Sequence, residues 1–116
     1  MSEIRVNAVK NTGGVERYLA QAWVNFNGAG TVAIRASGNV TSITDNGVGD
    51  YTVNFSSALA DANYAVVGSG RPNTQYLIGV QVKTGTVPTT GAVNISTGSY
   101  ASAFVDADYI CAAVFR

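Results

Sequence analysis

Residues 51–55 read YTVNF, a short stretch in which large and polar residues alternate cleanly. Its three large residues alternate with Thr52 and Asn54, so an extended chain points the large side chains to one side and the polar ones to the other. A strand with one apolar and one polar face is typical of an antiparallel sheet that packs on a core and meets solvent with its other face. The stretch therefore predicts a sheet that is buried on one side.

Similar segments continue this pattern in both directions along the chain. Gly, Asn, Asp and Ser separate them at about ten residues per strand, which is the rhythm of a β-sandwich or barrel. Strands are predicted at residues 20–26, 31–37, 40–44, 51–55, 64–68, 76–83, 92–97 and 109–115. The best helix candidate, residues 15–22, is short and weak. The sequence predicts an all-β antiparallel β-sandwich of about seven to nine short strands, with residues 1–19 as a lead-in and residues 20–116 as the domain.

Turn signals and a short motif that occurs twice indicate how these strands are joined. Asn27 and Gly28 form a hairpin signal, and residues 45–50 (DNGVGD) are predicted to be a loop. Residues 61–64 (DANY) and 106–109 (DADY) each precede a strand. We expect two equivalent corners, in which the Asp caps backbone amides and the Tyr packs its ring inward.

Few residues of the chain are charged, and this limits the classes of partner that it can bind. Only 12% of the residues are charged, the formal net charge is zero, and the seven basic residues are scattered along the sequence. Nucleic acid is not expected as a partner, because phosphate binding needs clustered Lys and Arg. No apolar run or leader pattern predicts membrane insertion or secretion. A neutral surface favours self-association or contact with neutral, hydroxyl-rich ligands.

Catalytic and metal-binding chemistry finds little support in the sequence. The chain contains no His, which excludes His-based triads and most zinc sites, and its single Cys111 is predicted to be a buried small hydrophobe. Asp106 and Asp108 could share one face of a strand, but their positions suit capping better than a glycosidase pair. Residues 45–47 (DNG) could begin a calcium loop, although turn chemistry explains them equally well. No enzyme activity, cofactor or metal site is predicted.

Two longer stretches carry a resemblance to a known family. Residues 22–35 read AWVNFNGxGTVAIR and residues 40–55 read VxSITDNGxGDYTVNF, with residues 61–64 (DANY) following in the same order. Together they resemble the C-terminal region of bacteriophage tail fibres. Gly38 departs from that pattern, in which a bulky residue, usually Phe, is expected. The family's large aromatic residues, Trp23 among them, are expected in the core.

The resemblance implies a virion protein that forms a homotrimer and attaches the phage to its host. Receptors of such tips are bacterial surface polysaccharides or outer-membrane proteins. Two loops, residues 69–76 and 98–102, combine aromatic rings with amides and a cation, which suits sugar binding. The predicted receptor-binding residues are Arg71, Asn73, Gln75, Tyr76 and Tyr100. The alternative is that both loops are only solvated connections and that Tyr76 begins a strand and faces the core.

Two other functions fit the same residues. The domain could be a structural trimerisation or capping module of a virion fibre that makes no receptor contact. It could also be a carbohydrate-binding module of cellular origin.

Overall fold

The computed structural model describes residues 9–72, 78–99 and 103–116, and every regular element among them is a β-strand. The strands in chain order are β1 (Val9–Lys10), β2 (Glu16–Arg17), β3 (Ala20–Asn27), β4 (Ala33–Gly38), β5 (Val40–Gly47), β6 (Asp50–Phe55), β7 (Ala65–Pro72), β8 (Ile78–Val82), β9 (Ala92–Ser99) and β10 (Ala107–Phe115). The described part of the chain holds no helix of the length and hydropathy needed to cross a membrane.

Eight of these strands form two antiparallel sheets that pack face to face. The front sheet has the order β4-β3-β10-β7 and the back sheet has the order β5-β6-β9-β8. Strands β1 and β2 form a separate two-stranded ribbon. The predicted antiparallel β-sandwich is therefore confirmed.

Several predicted boundaries are wrong, and most errors come from polar strand residues. The weak helix at residues 15–22 is replaced by β2 and the start of β3, and β4 begins at Ala33. Asp45 and Asn46 belong to β5, so the predicted loop shrinks to a tight hairpin between Gly47 and Asp50. Asn46 looks like a loop residue by composition, but its amide donates across the strand pair to the Thr52 hydroxyl at 2.8 Å.

The core lies between the two sheets and contains the alternating residues that the sequence marks as inward. Phe26 of β3 and Tyr51 of β6 are fully buried, and their rings meet edge to face with centroids 5.3 Å apart. Phe55 and Tyr64 form a second edge-to-face pair at 5.8 Å. Aliphatic side chains fill the space around these rings: Val24, Val53, Val93, Ile95, Ile110 and Val114.

The buried Tyr51 hydroxyl ties together segments that are distant in sequence. Its oxygen lies 2.8 Å from the Gly28 carbonyl oxygen and 2.8 Å from Asp106 Oδ1, and that carboxylate oxygen also accepts the Gly49 N–H at 2.9 Å. Burial raises the pKa of Tyr51 strongly, and the neighbouring Asp106 carboxylate raises it further. The phenol therefore stays protonated and acts as a donor.

Replacing Tyr51 with Phe removes the single hydroxyl hydrogen that the Gly28 carbonyl and Asp106 Oδ1 share, and leaves these acceptors without that donor. We expect the free energy of unfolding to fall by about 1–3 kcal/mol. Urea denaturation measures the loss. Tyr18→Phe is the matched control, because Tyr18 is 74% exposed and its substitution should leave the midpoint unchanged. Equal midpoints for wild type and Tyr51→Phe would contradict this role.

The two DA(N/D)Y corners are not equivalent, contrary to the sequence expectation. At the first, Asp61 Oδ1 accepts the Asn63 N–H at 2.8 Å, and the Tyr64 ring is buried, as predicted. The Arg116 guanidinium, which donates two hydrogen bonds to the Asp61 carboxylate, lowers the pKa of Asp61 to about 2, with help from the Asn63 amide.

At the second corner the Tyr points outward. Ala107 pairs with Pro72 and Tyr109 with Arg71, so a β-bulge at Asp108 places one extra residue in β10. The extra residue reverses the side of the sheet that the next side chain faces. Tyr109 therefore lies on the outer surface, while Ala107 and Ile110 are buried. Asp106 and Asp108 therefore do not share a face: Asp106 contacts the buried Tyr51, whereas Asp108 contacts the exposed Arg71.

Candidate functional site

The outer faces of the two sheets differ in how fully their polar groups are used. On the back sheet, Asn54 Nδ2 donates to the Ser42 and Thr44 hydroxyls at 3.1 and 3.0 Å. Asn46 and Thr52 continue this row of cross-strand bonds. These side chains satisfy one another, so this part of the back face, on β5 and β6, is largely paired.

The front sheet carries an open groove of about 480 Å³ on its outer face. Cys111 and Ala113 of β10 form its floor, Trp23 stands on the β3 side, and Val67 and Ser69 line the β7 side. The volume falls within the range of small-molecule sites, about 300–1,000 Å³. We call this feature the front groove.

Trp23 lies outside the core, so its predicted core position is wrong. The side chain is 43% exposed, whereas Ala22 and Val24 on either side of it are buried. Trp23 shares its strand phase with Gln21 and Asn25, and this phase is the outer one.

Gly38 explains how a large ring lies flat on this sheet. It is the cross-strand partner of Trp23, and a Cβ built on it would lie 2.9 Å from the indole Cδ1. The departure from the tail-fibre pattern at Gly38 therefore makes room for the indole beside the front groove.

Gly38→Ala should push the indole off the sheet. Because Trp23 is the only tryptophan of the chain, its emission reports this movement directly, and we expect a red shift as the ring gains water contact. Gly79→Ala is the matched control: Gly79 is also a strand glycine, but a Cβ built on it meets no atom within 4 Å. A spectrum of Gly38→Ala that equals that of the control would show that the ring does not lie over Gly38.

Cys111 is half-buried and lies on the groove floor, whereas the sequence predicts a buried small hydrophobe. It faces outward because it follows Ile110, an inward residue, in an alternating strand. Its small side chain and that of Ala113 keep the floor low, which gives the groove its depth.

A cluster of charged and aromatic side chains lies on the same outer face. The Cζ atoms of Arg35 and Arg71 lie 4.9 and 5.2 Å from the ring centroid of Tyr109. Such cation–π contacts contribute about 0.5–1 kcal/mol each at exposed sites. Asn25 joins the cluster, since its Nδ2 donates to the Tyr109 hydroxyl at 3.0 Å and its Oδ1 accepts from Arg35 at 3.3 Å. We call Asn25, Arg35, Arg71, Asp108 and Tyr109 the arginine cluster.

Asp108 supplies the one carboxylate that contacts this cluster among the described residues. Its Oδ2 accepts from Arg71 Nη2 at 3.4 Å, and its main-chain carbonyl accepts from Arg35. Its Oδ1 is buried and has no hydrogen-bond partner within the described ranges. The basic residues that look scattered in the sequence thus include two that the strand order brings together.

Of the predicted receptor-binding residues, the structure describes Arg71. Asn73, Gln75, Tyr76 and Tyr100 lie outside the described residues. Arg71 belongs to β7 and not to the predicted loop at residues 69–76. Gly98 and Ser99 likewise belong to β9 and not to the predicted loop at residues 98–102, so both loop predictions are wrong at these residues.

The composition of β7 explains why residues 69–72 resemble a loop. Gly68 and Gly70 lie against Val80 and Ile78 of β8, and a Cβ on either glycine would come within 2.6 Å of those side chains. The glycines therefore allow the two sheets to approach each other at this edge, a tertiary requirement that has no local sequence signal.

The described flanks of both predicted loops lie at one end of the sandwich. Pro72 pairs with Ala107, and Ile78, which follows the first loop, pairs with Ser99, which precedes the second. Ala20, where the lead-in joins β3, pairs with Phe115 at the other end of β10, about 20 Å from Tyr109 at strand spacing. The arginine cluster thus lies far from the lead-in.

Three residues of this site, Trp23, Asn25 and Tyr109, were not predicted from the sequence as surface groups. For Trp23 and Asn25 the signal was present, because they alternate with the buried Ala22, Val24 and Phe26. For Tyr109 it was absent, since the bulge at Asp108 sets its direction.

Within the described ranges, no group of three or more His, Cys, Asp or Glu side chains could hold a metal ion. Asp45, which could begin a calcium loop, accepts the Gly47 N–H at 3.1 Å and serves the hairpin. No protein-family model, curated protein or solved structure matches the chain.

Proposed function

We propose that this chain is the tip domain of a phage tail fibre and attaches the virion to the bacterial surface, by binding polysaccharide or an outer-membrane receptor in the front groove. The observation that carries the proposal is an exposed Trp23 beside an open groove on the same face as the arginine cluster. The resemblance of residues 22–35 and 40–55 to tail fibres gives the biological setting.

The chemistry of the groove favours a saccharide. Sugar rings present CH faces that stack on aromatic side chains and hydroxyls that bond to polar groups, and ligand sites commonly divide these tasks between apolar walls and a few polar residues. Trp23 and Val67 supply apolar walls, and Ser69 and Asn25 supply polar groups between the walls and the arginine cluster.

The position of the site also suits attachment. In a fibre, the lead-in comes from the shaft, so the end of the sandwich farthest from Ala20 faces the host. Arg71 and the flanks of both predicted loops lie at that end.

Attachment of this kind needs no catalysis, and we propose that the domain binds without cleaving. Asp106 is committed to the Tyr51 hydroxyl and the Gly49 amide, and Asp108 to Arg71. Neither carboxylate is placed in the front groove.

A second function, the structural cap, is favoured by a different observation. Val15, Tyr18 and Leu19 of the lead-in are all exposed, which leaves three large apolar side chains within five residues open to water. A homotrimer would cover such a segment, and the zero net charge of the chain favours self-association. We propose this trimer for either function.

Trp23→Ala separates the two functions. If the front groove binds the receptor, the labelled variant should lose binding to bacterial strains that the wild-type domain recognises, and its sedimentation mass should remain near three times 12.0 kDa. The apolar wall is lost, but the exposed ring contributes little to the fold. Fluorescence-detected cell binding and sedimentation velocity provide the two measurements.

The matched control is Gln81→Ala, an exposed side chain on the outer face of the back sheet, which should keep both properties. A Trp23→Ala variant that binds cells normally would place the receptor contact elsewhere. A variant whose mass falls to 12.0 kDa would make the front groove an assembly surface and favour the cap. A wild-type domain that binds no strain of a broad panel would refute attachment.

A further inference from the structure

The arginine cluster carries more positive than negative charge, although the chain as a whole is neutral. It contains two guanidinium groups, Arg35 and Arg71, and one carboxylate, Asp108. Two positive charges less one negative charge leave a net charge of one. The cluster is therefore a positive site on a domain whose net charge is zero.

The two arginines differ in what they can offer a ligand. Arg35 donates to neutral acceptors, the Asn25 side-chain oxygen and the Asp108 main-chain carbonyl, which hold it against Tyr109. Arg71 makes one 3.4 Å contact with Asp108, and its side chain is 66% exposed. A guanidinium has five N–H donors, so Arg71 retains donors that face water.

The free N–H donors of Arg71 suit an anionic ligand. The planar guanidinium pairs with a carboxylate or a phosphate through two parallel hydrogen bonds, which makes such contacts stronger than those of a neutral acceptor. Contact with the Tyr109 ring fixes the Arg71 side chain, so less conformational freedom is lost when an anion binds.

The front groove adds a second requirement for the ligand. Arg71 and Val67 are four residues apart on β7, and Val67 and Trp23 both pair with Ala113. Along the strands the anion site and the indole are about 13 Å apart, and across the sheet they are separated by two strand spacings, about 10 Å more. A single sugar ring cannot reach both, so the ligand must extend over more than one ring.

We infer that the front groove takes an anionic oligosaccharide, with its carboxylate or phosphate on Arg71 and a neighbouring ring against Trp23. This inference rests on the proposed function and names the class of receptor that it would recognise. Uronic acids and phosphorylated sugars share the required chemistry.

The experiment compares charged and uncharged forms of one backbone. Oligogalacturonate and its methyl ester have the same sugar chain, but the ester lacks the carboxylates. Titration of the wild-type domain, followed by Trp23 emission, should show the acid binding about tenfold or more tightly than the ester, as expected when a charge-assisted bond is gained. A phosphorylated mannan oligosaccharide tests the second source of the anion.

Two variants locate the contact. Arg71→Gln should reduce the affinity for the preferred anionic probe about tenfold and leave that for the ester unchanged. Arg116→Gln removes the same charge beyond the other end of β10, about 24 Å from Tyr109 at strand spacing, where Arg116 pairs with Asp61, and should change neither affinity. Urea midpoints of both variants check that the fold is retained.

Three results would overturn the inference: equal affinity for acid and ester together with no phosphate preference, equal loss in Arg71→Gln and Arg116→Gln, or no binding of either anionic probe at millimolar concentration. If wild-type cell binding still depends on Trp23 in any of these cases, the proposed function stands without an anion contact at Arg71. If cell binding is absent as well, both fail.

Discussion

The buried hydroxyl of Tyr51 joins three segments of this domain that are distant in sequence. It joins the β3–β4 turn at Gly28 to Asp106, which in turn holds the β5–β6 hairpin at Gly49. The Gly28 N–H also donates to the Ala107 carbonyl oxygen at 2.8 Å, so the β3–β4 turn also holds the first residue of β10. The bulge at Asp108 follows immediately and turns Tyr109 outward, so this contact holds the start of the strand that carries Tyr109. A buried polar contact thus positions a surface site.

Small and polar residues have different roles on the two outer faces. On the back sheet, Asn, Ser and Thr side chains bond to each other across strands, as Asn54 does with Ser42 and Thr44. On the front sheet, small residues on β10 leave a groove, and Arg71 keeps donors exposed beside it. A surface with satisfied polar groups has little to gain from a ligand, whereas exposed donors beside an apolar wall can gain both kinds of contact.

The fold class could be predicted from the sequence because strand alternation is a local property. Tyr51, Val53 and Phe55 are buried as their period of two requires, and the same period, applied to residues 20–26, would have placed Trp23 outside. The core position predicted for Trp23 instead follows from the resemblance to tail fibres, whose large aromatic residues are expected in the core. The burial predicted for Cys111 follows from residue type and not from strand phase, and the side chain is half-buried.

The site could not be predicted, because it depends on strand order and on a bulge. Arg35 and Arg71 are far apart in the sequence and meet at Tyr109 only in a sheet with the order β4-β3-β10-β7. The two corners show the same limit: residues 61–64 and 106–109 have nearly the same letters, yet Tyr64 is buried and Tyr109 is 38% exposed. One extra residue in β10 makes that difference.

We propose that the outer face of the front sheet receives the bacterial receptor, and amide chemical shifts can locate that contact residue by residue. Polysaccharide purified from a strain that the domain binds should be titrated into the isotope-labelled domain. We predict shifts concentrated at residues 23–25, 67–71 and 109–113, with Asn54 and Gln81 unaffected. Shifts centred on the back sheet, or a spectrum that does not change, would contradict the claim.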